Sequence, residues 1–309
     1  MSRLKTIYII GAGSIGKVLA VFLANQGRNV ILLRGSVDNI PDSFETIEVN
    51  LNNKAVITEV IHISTLSNIT RLDGIIVLTN KSFGNADLAA GLIKKSGDSP
   101  VVILQNGLNI EQPFSNSGFR HIYRCVLFAT SQLVSHNSLI FKPVSVSSIG
   151  VINGNDSQLA SIVKQLDTPN FEFKAEENLQ PLIWTKAIVN SVFNSVCPLL
   201  EIDNGVFHRN EEALSIAKRV IDECIAVAES EHVILNQDKV LASLLMISKS
   251  SDGQLISTYQ DIKHKRRTEI DTLNFAICSI AEKMNMGNSV SETRLLGELV
   301  RIKAGLARA

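Results

Sequence analysis

Apolar and polar positions come in short, regular blocks over the first 110 residues. TIYII (6–10) is a compact run rich in β-branched residues. A glycine-rich turn follows, and KVLAVFLANQG then reads as a helix ending at Gly27. NVILL (29–33), GIIVLT (74–79) and VVILQN (101–106) are continuous apolar runs bounded by turn residues. Strands of a parallel sheet are buried on both faces and carry that pattern. The helix-like NADLAAGLIKK lies between the last two. This β-α-β alternation predicts an α/β fold with a doubly wound sheet. From 119 to 152 the texture turns β-rich with no long helix, which predicts antiparallel strands extending the sheet. A short helix is expected over 155–167. Residues 168–180 are polar with little periodicity and mark the boundary, giving domains 1–172 and 173–309. Beyond the boundary the chain reads as all-helical. PLIWTKAIVNSVFNSVCPLL has Pro181 near a helix start. NEEALSIAKRVIDECIAVAESE is amphipathic, and TEIDTLNFAICSIAEKM puts Ile270, Leu273, Ile277, Ile280 and Met284 on one face.

Composition narrows the function classes. The chain has 309 residues, 45% of them hydrophobic, with 30 basic and 30 acidic side chains and a formal net charge of zero. That length supports a hydrophobic core without staples. A zero balance argues against a nucleic-acid surface or an anionic membrane as partner, since both need a basic excess. Cys125, Cys197, Cys224 and Cys278 sit in apolar contexts with no CxxC pair, as expected of reduced thiols in a cytoplasmic protein. The six histidines have no metal-ligand spacing, so no metal is expected. The apolar runs are too short to span a bilayer. The amino terminus superficially resembles a signal peptide, but its apolar stretch runs straight into the glycine turn and reads as a first strand.

That turn, Gly11-Ala12-Gly13-Ser14-Ile15-Gly16, is GxGxxG between a strand and a helix. Glycines there make a tight turn, admit a pyrophosphate to the backbone and let helix pack on strand. The helix start then offers free N–H groups to the phosphates. The domain is therefore expected to be a Rossmann-type dinucleotide-binding unit. Arg34 ends the second strand where NAD-binding chains have an acid. A guanidinium suits the 2′-phosphate of NADP(H). Asp38, close by, supports the competing NAD reading. Lys81 and Asn106 follow strands at the end where α/β sheets bind ligands.

Lys186, Asn190 and Asn194 are spaced four apart in WTKAIVNSVFN and form one polar stripe on an otherwise apolar helix. Partial burial lowers a lysine pKa and makes it a usable proton donor. Asparagines offer uncharged donors and acceptors to a carbonyl or hydroxyl. The alternative is a stripe simply exposed to water.

The glycine turn, LQNGLNIE, WTKAIVNSVFN, STYQD and RRTEIDTLN occur in an order that resembles the ketopantoate reductases across essentially the whole chain. The resemblance implies NADPH-dependent reduction of 2-dehydropantoate to (R)-pantoate, a step of pantothenate synthesis. It makes Lys186 the general acid and gives Asn190, Asn194, Asn204 and Ser257 to the substrate. It gives Arg34 and Lys81 to the NADP phosphate side, Asn106 to the nicotinamide ribose and Glu269 to the cofactor near the reacting centre. Thr268 with Glu269 and Asp271 also reads as an ordinary helix start.

Five positions depart from the family pattern: Ser195 for proline, Cys197 for threonine, and Asn109, Lys265 and Phe275 for glycines. They leave the proposed acid intact and bear on substrate choice. Two alternatives therefore stay open: a reductase of another small 2-oxo acid, or an inactive NADP-binding protein. The expected partner is a small 2-oxo acid, and a homodimer is compatible with the sequence.

Overall fold

A computed structural model describes residues 5–51, 55–154 and 156–309. Residues 1–4 of the amino-terminal run and residue 155 of the expected short helix lie outside that description. The chain divides into two compact units, Met1–Gln105 with Ile110–Leu179, and Asn106–Asn109 with Gln180–Ala309.

The first unit is built on one sheet. Its strands are β1 (Thr6–Ile10), β2 (Val30–Arg34), β3 (Ser43–Asn50), β4 (Val56–Thr65), β5 (Gly74–Leu78), β6 (Val101–Ile103), β7 (Ile122–Val126), β8 (Ala129–Leu133), β9 (Ser138–Pro143), β10 (Ser147–Asn153) and β11 (Phe173–Ala175). The spatial order is β11-β10-β7-β6-β5-β1-β2-β4-β3-β9-β8. The six central strands from β7 to β4 pair in parallel. The chain winds outward from β1 in both directions, so the strand order reverses between β1 and β5, where α/β sheets bind ligands.

Four helices cover the sheet: α1 (Ser14–Asn25), α2 (Asn85–Ser96), α3 (Gln112–Asn116) and α4 (Leu159–Leu166). Alternate side chains of a strand face opposite ways. Ile7 and Ile9 pack with Val18 and Phe22 of α1 and Ile162 of α4. Tyr8 and Ile10 pack with Ala89 and Leu92 of α2 and Phe114 of α3. A strand with a core on each face must be apolar throughout, which is why TIYII does not alternate.

The 119–152 segment does extend the sheet, but at both edges. β7 is fully buried, parallel to β6 and antiparallel to β10. β8 and β9 form an antiparallel hairpin on the far side, where β9 runs parallel to β3. The expected boundary at 172/173 falls just before β11, which pairs with β10, so the first unit runs on to Leu179.

The second unit is helical: α5 (Gln180–Leu200), α6 (Val206–Arg209), α7 (Glu211–Ser230), α8 (Gln237–Ser250), α9 (Ser257–Lys263), α10 (Asn274–Lys283) and α11 (Ser291–Arg308). α5 is its axis and packs against α7, α8, α9 and α11. Phe193 of α5 meets Phe207 of α6 edge to face at 4.9 Å, a pair worth about 0.5–1.5 kcal/mol beyond its burial. Asn210 caps α7, its Oδ1 accepting from the Ala213 N–H at 2.8 Å.

The expected helix beginning near Thr268 is interrupted. Ile270–Thr272 is a 3-10 turn led by Glu269, and α10 starts only at Asn274, after an irregular Leu273 (φ −111, ψ −100). Thr268 is buried ahead of this turn rather than capping a helix. Of the five residues expected on one face, four are buried and Met284 is exposed at the helix end. Among the described residues no helix is long and apolar enough to cross a membrane.

Candidate functional site

The glycine turn joins β1 to α1 and is packed from below by the end of β5. Gly11 has φ +116, and a methyl there would stand 2.4 Å from the Asn80 nitrogen. A methyl at Gly16 would stand 2.0 Å from the Gly11 carbonyl oxygen. Both positions are closed to any side chain. Gly13 differs: nothing lies within 4 Å of a methyl added there. Gly13 is the N-cap of α1, and no side chain caps that helix. The first N–H groups of a helix have no partner within the helix, and here they rise behind the open space at Gly13, with Ala12, Ser14 and Ile15 on either side of it in the chain. An anion is favoured at such a place.

Thr79 staples the turn, its Oγ1 donating to the Gly11 carbonyl at 2.9 Å. Asn80 donates its backbone N–H to Ile10 and its amide Nδ2 to the Lys81 carbonyl. Its Oδ1 is buried with no hydrogen-bond partner. Sequence reasoning missed both residues, although their place at the end of an apolar strand was the available signal. Lys81 follows directly, half-buried, ahead of the turn Ser82–Gly84.

Arg34 closes β2. A methyl on the next residue, Gly35, would lie 3.6 Å from the Gly11 Cα. Arg34 Nη2 donates to Ser43 Oγ and to Glu45 Oε1, each at 3.1 Å. Its Nη1 is buried without a partner. Lys17 of α1 lies nearby, 4% exposed, and donates to the His136 carbonyl and to Asn137 Oδ1. Burial holds its ammonium below the usual lysine range; Glu45 works against that shift and Arg34 adds to it. Glu45 was missed because it lies on β3, and the 43–65 hairpin was not read from the sequence. The apolar Ile47, Val49, Ile61 and Ile63, two apart, were the signal. Asp38, the competing NAD residue, accepts from the Ser67 N–H at 2.9 Å. The Ser67 hydroxyl and N–H hold its carboxyl down to about 2.

An open cradle over a helix start, a buried carbonyl oxygen at Asn80 and an unfilled guanidinium nitrogen at Arg34 fit a dinucleotide. The glycine turn, Asn80 and Arg34 are therefore brought together by the fold of the first unit.

In the second unit Lys186, Asn190 and Asn194 share one face of α5. Lys186 and Asn190 are half-buried and Asn194 is 3% exposed. Asn194 Oδ1 accepts from Ser257 Oγ at 3.3 Å and from the Thr258 N–H at 3.2 Å, while its Nδ2 donates to the Asn190 carbonyl. It thus caps α9 from outside that helix and fixes Ser257 beside the row. Pro198 lies four residues on; proline has no N–H, so it cannot pair with the Asn194 carbonyl.

Asn204 is buried and bonded to Gln254, Ser251 and Ser248, yet its Oδ1 has no hydrogen-bond partner. Asn106 Oδ1 is orphaned in the same way. Buried polar atoms are normally paired, so each exception calls for a reason. The loop carrying Asn106 is seated on the 270–272 turn: the Leu108 N–H donates to the Thr272 carbonyl at 2.8 Å, and a methyl at Gly107 would stand 2.6 Å from Thr272. The loop of Asn106 thus rests on the turn that the half-buried Glu269 leads.

The five departures have physical readings. Asn109 (φ +58) and Lys265 (φ +57) occupy the left-handed region, where glycine is at ease. Asparagine tolerates that region better than lysine does. Ser195 is fully buried and donates to the Ser191 carbonyl at 2.6 Å. Burial pushes the Cys197 thiol up to about 12. Phe275 carries the Arg301 guanidinium 3.5 Å above its ring. Each departure is absorbed by backbone geometry or helix packing.

Comparison with known proteins agrees across the chain. Residues 7–148 match the family model described as Ketopantoate reductase PanE/ApbA, and residues 178–304 match its C-terminal counterpart. A 2-dehydropantoate 2-reductase of Pyrococcus horikoshii is 29% identical over 303 residues, covering 97% of this chain and 98% of that one. One from Streptococcus pyogenes serotype M18 is 27% identical over 306 residues, covering 96% and 97%. Among solved structures, a D-mandelate dehydrogenase with NADH and anilino(oxo)acetate superposes with a TM-score of 0.83 at 22% identity, covering 98% of this chain and 99% of that one. A dimeric ketopantoate reductase from Staphylococcus aureus gives 0.81 at 17%, with the same coverage. With both halves matched in order by the same family, the chain is an oxidoreductase belonging to the ketopantoate reductase family.

Proposed function

We propose that this protein reduces 2-dehydropantoate to (R)-pantoate with NADPH. The observation that carries the reading is the α5 row, with Lys186 as its cation and Ser257 tied to it through Asn194. The first unit is the nucleotide-binding domain and the second the substrate domain. Bound nucleotide supplies the hydride. Lys186 donates the proton to the carbonyl oxygen, so that no alkoxide has to persist. Asn190 and Asn194 hold the substrate's oxygens, Asn194 also holding Ser257 toward the carboxylate. The orphaned oxygens of Asn204 and Asn106 accept from a substrate hydroxyl and from the nicotinamide ribose. Glu269 contacts the cofactor near the reacting centre, and Lys81 joins Arg34 on the phosphate side.

A second reading, reduction of another small 2-oxo acid, is supported by the likeness in fold to a D-mandelate dehydrogenase with NADH and anilino(oxo)acetate. One assay separates them. Loss of reduced-nicotinamide absorbance is followed with 2-dehydropantoate and with a panel of branched and aromatic 2-oxo acids. Turnover selective for 2-dehydropantoate supports the first reading, and turnover only with another acid replaces it by the second. Nucleotide binding without turnover of any acid leaves a binding protein.

A further inference from the structure

Arg34 is not waiting empty-handed for a phosphate. It reaches across β4 to β3, where Glu45 Oε1 accepts from it at 3.1 Å and Ser43 Oγ accepts alongside. Glu45 is only 18% exposed and Arg34 22%. The other oxygen of Glu45 lies 3.5 Å from His136 Nε2, on the turn that also holds Lys17. One carboxylate therefore pairs with Arg34 and also attracts the Lys17 ammonium. A 2′-phosphate brought to Arg34 would meet that carboxylate at close range in a partly dry site. Like charges there repel more strongly than in water. A ribose 2′-hydroxyl brings no charge and suffers no such repulsion.

From this geometry we infer that Glu45 is a specificity-determining residue that narrows the preference of this chain for NADP(H) over NAD(H). It neutralises Arg34 in the nucleotide-free protein and opposes the 2′-phosphate. The Nη1 of Arg34 is buried without a hydrogen-bond partner and keeps an unused donor. Both cofactors are then held by the same glycine turn, and the balance between them is set by one carboxylate. The inference rests on the nucleotide reading given above.

The test is direct binding, read by the fluorescence of the reduced nicotinamide, with NADPH and NADH titrated separately and no substrate present. Wild-type protein is expected to bind both, with NADPH favoured by no more than about tenfold. Glu45→Gln should tighten NADPH by about tenfold and change NADH by less than about twofold. The double variant Arg34→Ala with Glu45→Gln should lose that gain. If Glu45→Gln weakens NADPH, the carboxylate positions Arg34 for the phosphate, and the inference is overturned. An unchanged NADPH-to-NADH ratio overturns it as well. Thermal melting checks that each variant folds. Should Glu45→Gln not fold, the wild-type ratio decides: a preference for NADPH beyond about a hundredfold would leave no room for opposition by Glu45. If wild-type protein binds neither nucleotide, the nucleotide reading itself fails and takes this inference with it.

Discussion

The glycine turn and the α5 row are two candidate sites built by opposite means. The turn presents backbone. Gly11 and Gly16 stand where no side chain can fit, with 2.0 Å between a Gly16 methyl and the Gly11 oxygen. The α5 row presents side chains whose positions depend on a second helix, through Asn194 and α9. A site made of backbone is specified locally and can be read from a six-residue string. A site made of side chains needs partners far away in sequence, here 64 residues on.

The largest expected effect is on the side-chain site. Lys186→Ala should lower turnover by about 10²–10⁴-fold and leave nucleotide binding intact. Near-normal kcat in that variant would remove Lys186 from the chemistry. The backbone site is broken differently. Gly16→Ala forces a methyl into the Gly11 carbonyl and should cost about 2–4 kcal/mol of stability in denaturant melts. Gly13→Ala meets nothing, so it should cost less than about 1 kcal/mol while weakening dinucleotide binding. Equal losses of stability in the two variants would contradict the open cradle.

Asn194→Ala comes next. Losing the cap on α9 should cost about 1–2 kcal/mol and raise KM for the oxo acid as Ser257 loosens. Unchanged KM would confine Asn194 to packing.

The helical unit should also respond to alkali. Burial raises Cys197 and Cys224 to about 12 and Cys278 to about 11. In the unfolded chain these thiols ionise near the ordinary value of 9.0. Between pH 9 and the folded values the unfolded state therefore binds fewer protons, so stability falls as pH rises. It is fully present below about pH 9, where both states keep the thiol proton. Melting temperature measured from pH 8 to 11 should drop above 9, and Cys224→Ala should flatten that drop.

The smallest effect is expected at Lys265. Lys265→Gly should raise stability by about 0.5–1 kcal/mol, because glycine accepts φ +57 without the steric cost lysine carries there. The same change at Asn109 should gain less. A loss at Lys265 would mean that its side chain has a role the backbone argument omits.

Read residue by residue, the local geometry of both candidate sites was legible early. GxGxxG between a strand and a helix was enough for the turn, and a spacing of four was enough for the row. The order of motifs over the whole chain indicated the family. Less legible was what those residues touch. Arg34 looked like a bare cation until pairing of β3 with β4 brought Glu45 to it. Asn194 looked like one more substrate contact until α9 was found hanging from it. The helix expected from Thr268 broke at Leu273, where the 270–272 turn seats the loop of Asn106.

The sequence by itself determined the local rules: strands apolar on both faces, helices amphipathic, glycines where a side chain cannot stand. Those follow from forces acting within a few residues. Only the tertiary structure decided that residues 119–152 divide between the two edges of the sheet, that a glutamate faces Arg34 and that one asparagine caps a distant helix. Strand order and long-range hydrogen bonds depend on which surfaces meet after the chain collapses, and no local pattern encodes that choice.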